Sequence, residues 1–421
     1  GMTEGAYSVA KGWVIGVRRH KHVAFVDLDL YDRKEQFVVR EDVMDRLGDL
    51  VDKLRPESYV EIAYVRDGKD NVVKDIKVIN EAKDVYPYKV IRHADPYDHS
   101  IAKLNIRHVM FKNPLFRDIL EIRAHFIRAI QLYLDSNGFI EISTPVISPV
   151  TYYGKDSAFK LDFNGFEAYL NQCNAYYLED ALLGFPKVYS LIPSFRAERI
   201  DSPRYLNEYW HLKGEMANYD LYGVMDFMER FVSDLVADLA NKFQEKILNL
   251  NKDFDPNSFK APFYRIDYDE AVEVIRRTNP NFQWGMQIGS VEEKILSQHF
   301  DKPFWVMHLP RKTQPFPYRL KPDNKEKTLT ADLIFPWHGE VLGVAEKIYK
   351  MDELLERVRT DGLPDNNEEN YRWYIELRDM GLPPHSGFGV GVERFLKAVL
   401  NAPHVRDVTP FPRLYEHRPV P

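Results

Sequence analysis

The chain has 421 residues, a formal net charge of −7, 44% apolar and 29% charged residues, the balance of a globular protein of two or three domains. Its acidity argues against broad nonspecific nucleic-acid binding but leaves room for a local basic surface. One cysteine, Cys173, excludes an internal disulfide and suits a reducing compartment, and the chain shows neither zinc spacing, nor a signal peptide, nor the ~18-residue apolar run of a membrane span.

Residues 6 to about 90 read as a small all-β unit. Val14, Val17, Val23, Phe25, Val26, Phe37, Val38 and Val39 fall in short runs broken by charged turns such as RRHK at 18–21. A helical stretch, 42–54, interrupts before YVEIAYV at 59–65 resumes the strand pattern, and DGKDN at 67–71 forms a turn. Five strands and one inserted helix predict an OB-type barrel, a fold that binds single strands by stacking bases on exposed aromatics. Mixed aromatics, prolines and charges from Tyr86 onward predict an ordered hinge. The expected domains are therefore a barrel at 1–90, a hinge at 91–113 and a large unit at 114–421.

That large unit opens with an amphipathic helix, 116–136, whose Ile119, Ile122, Phe126, Ile127, Ile130 and Leu134 share one face. Asn137-Gly138 stops it, and FIEISTP at 139–145 reads as a strand closed by proline. Further on, two strand arms, 188–192 and 205–212, flank a polar break. Arg196 and Glu198 are two apart, so on a strand they leave the same face; Arg204 lies in the turn, and Glu208 and Tyr209 on the return arm. Guanidinium, carboxylate and aromatic plate on one surface suit a nucleotide, although a surface hairpin of solvated Arg–Glu pairs has the same composition.

A long helix, 219–250, carries Met225, Met228, Phe231, Val232, Leu235, Leu239 and Phe243 as a buried stripe, its methionines being core packing. Residues 251–330 mix short helices and strands, with KPDNKEK at 321–327 expected as a solvated loop. A strand at 328–336 places Asp332 eight residues before Glu340. Two such carboxylates on adjacent strands would hold Mg²⁺ through few ligands, leaving the rest to water and nucleotide. In GFGVGVERF at 387–395, three glycines alternate with apolar residues as in a strand lying close to something flat, and a helix starts near Glu393 with Arg394 in its first turn.

The hairpin and the glycine-rich strand–helix together resemble motifs 2 and 3 of the class II aminoacyl-tRNA synthetases, and the run to PFPR at 410–413 resembles their aspartyl/asparaginyl branch. The helix, glycine, strand and proline of 116–145 resemble motif 1, which in that family builds a dimer interface. The resemblance implies an α+β fold: an OB barrel, plus an antiparallel catalytic sheet flanked by helices. It also implies ATP, Mg²⁺, tRNA and a small amino or carboxylic acid as ligands, and a cytoplasmic homodimer with no membrane contact. Arg196 would clamp the α-phosphate and the attacking carboxylate. Glu198 would read the adenine amine, Tyr209 stack beneath the base, Arg394 cover its other face, and Arg204 complete the ATP site. Asp332 and Glu340 would carry the metal. In the barrel, Phe25 would stack an anticodon base and Gln36 read the central one.

Within the branch, WYIELR at 373–378, PHSGFG at 384–389 and the interval from Asp332 to Glu340 resemble the asparaginyl form. Glu179 matches the glutamate that accepts the side-chain amide, and Leu178 stands where aspartyl enzymes place a lysine; Arg378 falls in the same pocket. Four positions depart from the pattern. Cys173-Asn174-Ala175 replaces Ser-Gly-Gln, Lys213 replaces the acid that pairs the α-ammonium, Lys347 replaces the side-chain-reading arginine, and Tyr205 replaces a histidine. An ammonium facing a lysine at ~4 Å costs ~1–4 kcal/mol. The resemblance thus implies asparagine activation and its transfer to tRNA. The alternatives are a relative adenylating another acid, an aspartyl enzyme, or a silent tRNA- or partner-binding module.

Overall fold

In the first unit, five strands close a barrel in the order β1-β2-β3-β5-β4: β1 (Ser8–Arg19), β2 (Ala24–Asp29), β3 (Lys34–Val39), β4 (Tyr59–Asp67) and β5 (Asp70–Asn80). Helix α1 (Glu41–Asp52) falls between β3 and β4 in the chain. Period-two alternation sends Ala24, Val26 and Leu28 inward to join Val14, Phe37, Val60 and Ile62 in a dry core. Short helix α2 (Tyr88–His93) brings Arg92 to Asp29 (2.7 Å) and Glu57 (2.8 Å), and all three are buried. The chain divides into its two compact units between His93 and Ala94. This computed structural model describes residues 7–83, 88–101, 103–365 and 367–421; Ala6 at the expected barrel start and Tyr86-Pro87 at the start of the hinge run lie outside the described residues.

Residues 94–113 pack within the second unit. Arg107 donates to the carbonyls of Thr409 (2.6 Å), Arg406 (2.7 Å) and Pro410 (3.1 Å), and the Tyr97 hydroxyl to that of Leu400 (2.9 Å). Helix α3 (Pro114–Ser136) starts where Asn113 accepts from the Phe116 amide and Pro114 presets the first turn. After it come β6 (Ile140–Glu141), β7 (Ile147–Ser148), β8 (Lys160–Phe163), β9 (Phe166–Leu170), α4 (Ala175–Ala181), β10 (Lys187–Phe195), β11 (Glu208–Ala217) and α5 (Leu221–Leu250). The remainder is β12 (Tyr264–Asp267), α6 (Tyr268–Thr278), α7 (Ser290–Ser297), β13 (Phe304–Met307), β14 (Leu320–Lys321), β15 (Asn324–Thr328), β16 (Thr330–Phe335), β17 (Gly339–Lys347), α8 (Met351–Asp361), α9 (Arg372–Ile375), β18 (His385–Gly391) and α10 (Val392–Val399).

Eight strands form the main sheet in the order β12-β13-β16-β17-β18-β11-β10-β6, antiparallel except at its two edge pairs. One apolar cluster joins α3, α5 and α10 to one sheet face; Ile119, Phe126, Met225, Met228, Leu212, Phe388 and Val390 are all at or near zero exposure there. Each such side chain stabilises by about 1.5–3 kcal/mol, and the two methionines are core packing as expected. The architecture is the α+β arrangement of barrel plus helix-flanked antiparallel sheet.

Three local expectations differ. Strand β10 ends at Phe195, so Arg196 and Glu198 lie in the loop beyond it, although they still come within 3.9 Å. Only Ile140–Glu141 of 139–145 pairs as strand, because β6 is an edge strand held by β10 alone. The charged run at 321–327 is a β14–β15 hairpin whose Lys327 is buried, 3.0 Å from Asp269 and also paired with Asp267.

Candidate active site

The cleft lies on the sheet face away from α3 and α5, and strand alternation furnishes it. Tyr209, His211, Lys213 and Glu215 of β11 share that face, and across the register stand Gly391, Gly389 and Gly387 of β18, opposite His211, Lys213 and Glu215 respectively. A Cβ on Gly387 would fall 2.3 Å from Glu215 Oε1, and one on Gly389 3.0 Å from Lys213 Nζ. The glycines are therefore space into which β11's side chains lean. Above this floor is a cavity of about 740 Å³.

At one end, the Arg196 guanidinium lies 4.0 Å from the Tyr153 ring centre and 5.7 Å from that of Tyr209. Asn207 donates to the carbonyls of Arg196 (2.7 Å) and Glu198 (3.2 Å), which fixes the loop they ride on. Arg394 donates to the carbonyls of Arg204 (3.1 Å) and Glu340 (3.3 Å), and its guanidinium lies over Tyr205 at 5.3 Å. Arg204 is paired with Glu293 of α7, whose other oxygen accepts from the Glu340 amide at 2.7 Å. Asp332 and Glu340 converge over Gly343: a Cβ there would meet their oxygens at 3.0 and 3.6 Å. Burial, Glu340 and Glu293 push the Asp332 carboxyl well above the usual range. Two hard oxygen donors that repel each other beside open space fit a divalent cation such as Mg²⁺; no cluster of three or more metal-ligating side chains occurs among the described residues.

The other end is different. Lys347 is 2.8 Å from Glu215 and 3.8 Å from Glu179. Glu179 also accepts from the Tyr374 hydroxyl (2.6 Å) and contacts His385 (2.6 Å) and Arg378 (3.4 Å). Burial opposes its charge, but Lys347, His385 and Arg378 overcome that and lower its pKa to about 2. Lys213 and Lys347 line the cavity, whereas Glu179, Glu215, Cys173, Ala175 and Arg378 lie behind its wall. The Lys213 side chain makes no hydrogen bond or ion pair among the described residues, although Cys173, Tyr318 and Glu215 favour its charge. His211 is held neutral by burial and by Lys213, Arg196 and Arg394, which lower its pKa, and its Nδ1 is 2.8 Å from the Ser194 hydroxyl.

The structure thus brings Arg196, Glu198, Arg204, Tyr209, Lys213, Asp332, Glu340, Lys347 and Arg394 to one cavity. Tyr153 joins them on the cavity, and Glu293 supports it from behind through Arg204 and the Glu340 amide, neither having been anticipated. Tyr153 sits in a loop with no periodicity to read, and Glu293 falls three residues before Leu296 on the buried side of α7. On the barrel, Phe25 and Gln36 are on the outer face: Phe25 is half-buried with Arg18 over its ring at 5.1 Å, and Gln36 is exposed opposite Asp27.

Comparison with known proteins is consistent along the whole chain. Residues 100–415 match the family described as tRNA synthetases class II (D, K and N). Asparagine--tRNA ligase of Thermococcus kodakarensis is 35% identical over 314 residues, 74% of this chain and 72% of that one. The enzyme of that name from Thermoplasma acidophilum is 30% identical over 412 residues, 96% and 94% respectively. Asparaginyl-tRNA synthetase from Pyrococcus horikoshii, solved with asparaginyl-adenylate, aligns at TM-score 0.91 and 31% identity over 98% of this chain and 96% of that one. With the glycine-floored cleft and its arginine–carboxylate constellation, this makes the chain a member of the class II tRNA synthetases of the D, K and N group.

Proposed function

We propose that this protein activates asparagine with ATP and transfers the acyl group to the 3′ end of tRNA(Asn). The observation that carries the reading is Arg196, held between Tyr153 and Tyr209 on the cavity that also contains Asp332, Glu340 and Arg394, in a chain aligned almost end to end with an asparaginyl-adenylate complex.

The substrate carboxylate is already an anion and needs no general base. Catalysis is positioning and charge neutralisation. Arg196 would draw the carboxylate and the α-phosphate together, so that a carboxylate oxygen attacks phosphorus in line and pyrophosphate leaves. Tyr209 offers a face for the adenine, Glu198 an acceptor for its amine, and Arg394 and Arg204 cations for the phosphates. Asp332 and Glu340 would hold Mg²⁺, which when bound supplies neutralisation of phosphate charge. Phe25 and Gln36 on the barrel's outer face would contact the anticodon. Leu132, Ile140 and Ile147, exposed around α3 and the strand after it, favour a homodimer through that surface. No helix among the described residues is long and apolar enough to cross a membrane, and we place the protein in the cytoplasm, where its tRNA partner is found. The test is ATP–pyrophosphate exchange and tRNA charging with asparagine and aspartate in parallel. Asparagine alone should support both; silence with asparagine refutes the assignment.

A further inference from the structure

Adenylation places the substrate's carboxylate beside Arg196, so the α-substituent, one carbon away, must lie on the neighbouring floor. That floor holds Lys213. Its side chain crosses Gly389, with Cδ and Nζ both 3.0 Å from where a Cβ would be; it lines the cavity, is 7% exposed, and has no partner among the described residues. Cys173, Tyr318 and Glu215 favour its charge from a distance, but a buried ammonium with no direct hydrogen-bond partner is costly, which marks Lys213 as aimed at something outside the chain.

The carboxylates on this side of the cleft that would receive a substrate ammonium are engaged elsewhere. Glu215 is bound to Lys347 at 2.8 Å, and its second oxygen is sealed without a partner beneath Gly387. Glu179 is enclosed by Tyr374, His385, Arg378 and Lys347 and is wholly buried. Of the acids that do line the cavity, Asp332 and Glu340 lie by Arg394, Glu198 by Arg196 in the loop beyond β10, and Glu393 accepts from the Trp210 amide at 3.0 Å.

We propose that the cleft also takes carboxylic acids whose α-substituent is a hydrogen-bond acceptor or an anion instead of an ammonium, such as α-hydroxy acids of asparagine's length, and that Lys213 reads that group. The inference rests on the adenylation reading. The step is the same: the new bond is from carboxylate oxygen to α-phosphorus, the bond to the β-phosphate oxygen breaks, and pyrophosphate carries away the electron pair.

The experiment is ATP–pyrophosphate exchange by the full chain with Mg²⁺, comparing asparagine, succinamate (no ammonium) and malamate (hydroxyl in its place). A site that reads an ammonium rejects the analogue lacking it by roughly four to five orders of magnitude. Here malamate should reach a kcat/KM within about tenfold of asparagine's or above it. Lys213→Met should lower kcat/KM for malamate about tenfold or more relative to that for asparagine, and Lys213→Arg should retain the wild-type order. Melting temperature and ATP affinity of each variant establish that it is folded. Rejection of malamate by about a thousandfold or more overturns the proposal. So does a Lys213→Met change that raises KM for ATP equally with every acid, which would put Lys213 on a phosphate. Exchange with asparagine alone leaves adenylation standing and removes this inference; exchange with no acid removes both.

Discussion

Lys347 is the keystone of the ion network at the acid end, and its replacement by methionine has a calculable effect. The side chain is 1% exposed and its two partners, Glu215 and Glu179, are at zero. Methionine fills similar space but leaves two buried carboxylates with one cation fewer. Breaking a buried pair in this way costs about 3–5 kcal/mol, because the charge left behind cannot reach water. The second unit has about 330 residues, so at ~2.1 cal/mol/K per residue its unfolding entropy is about 0.7 kcal/mol/K. The melting temperature should therefore fall by ~4–7 °C. Glu215→Gln in the same chain removes the orphaned charge while keeping the shape, and the double variant should recover about half of the loss or more. Glu179 retains Tyr374, His385 and Arg378 in either case. Differential scanning calorimetry of the wild type, both single variants and the double variant completes the cycle. A Lys347→Met melting point within about 1 °C of wild type, or a double variant less stable than Lys347→Met alone, would refute the assignment of Lys347 as counter-charge to Glu215.

The floor glycines should differ in tolerance. Gly387→Ala puts a Cβ against a carboxylate pinned by Lys347 and should destabilise by about 1–3 kcal/mol, whereas Gly389→Ala meets the movable end of Lys213 at 3.0 Å and the edge of the His211 ring at 3.3 Å and should fold normally while shifting KM for the acid; urea melts and exchange kinetics separate the two. Glu293→Gln weakens the pairing that steadies Arg204 and should raise KM for ATP about tenfold or more without changing acid preference, read by exchange at varied ATP. His338 is kept neutral: burial and Lys397 lower its pKa to about 4, Lys397 Nζ donates to its Nδ1 at 2.9 Å, and its Nε2 faces Asn401 Oδ1 at 3.0 Å. Because the folded pKa lies below the unfolded ~6.5, the unfolded chain binds the extra proton first, so His338's contribution is whole above pH ~6.5 and lost as pH falls toward ~4. His338→Gln should flatten the melting profile across that window, and an unchanged profile would contradict a neutral His338.

The barrel and the sheet were legible because their signals are local: alternation in β2 sends Val26 inward and Phe25 outward, and the glycines at 387, 389 and 391 announced a floor. The carboxylate pair was legible from spacing, yet the spacing alone does not suffice. Without the bulge between Leu333 and Ile334, Glu340 would pair with Phe335 and face the core; with it, Glu340 pairs with Ile334 and shares the face of Asp332. Illegible were contacts between segments far apart in the chain. Arg378 was placed beside Glu179 by resemblance, but nothing near Glu179 tells that Tyr374 and His385 will enclose it too, and nothing near Arg204 tells that Glu293 will bind it. Arg196 and Glu198 met in spite of the strand assumption, since Asn207 imposes their geometry through the backbone.

The reciprocal relation of β11 and β18 has a consequence for how such a cleft can change. On the cleft face β18 gives way to β11 through its glycines, and on the other face β11 gives way to β18: a Cβ on Gly214 would fall 2.2 Å from the Phe388 ring. One strand thus carries the chemistry and its neighbour carries the packing, each vacating the side the other occupies. A substitution at 213 alters charge and reach over an open floor without displacing a core atom, whereas 211 and 215 are tied to Ser194 and Lys347. The ligand preference of the sheet can drift while its foundation stays still, and an acidic residue can give way to a lysine at 213 with the fold unchanged.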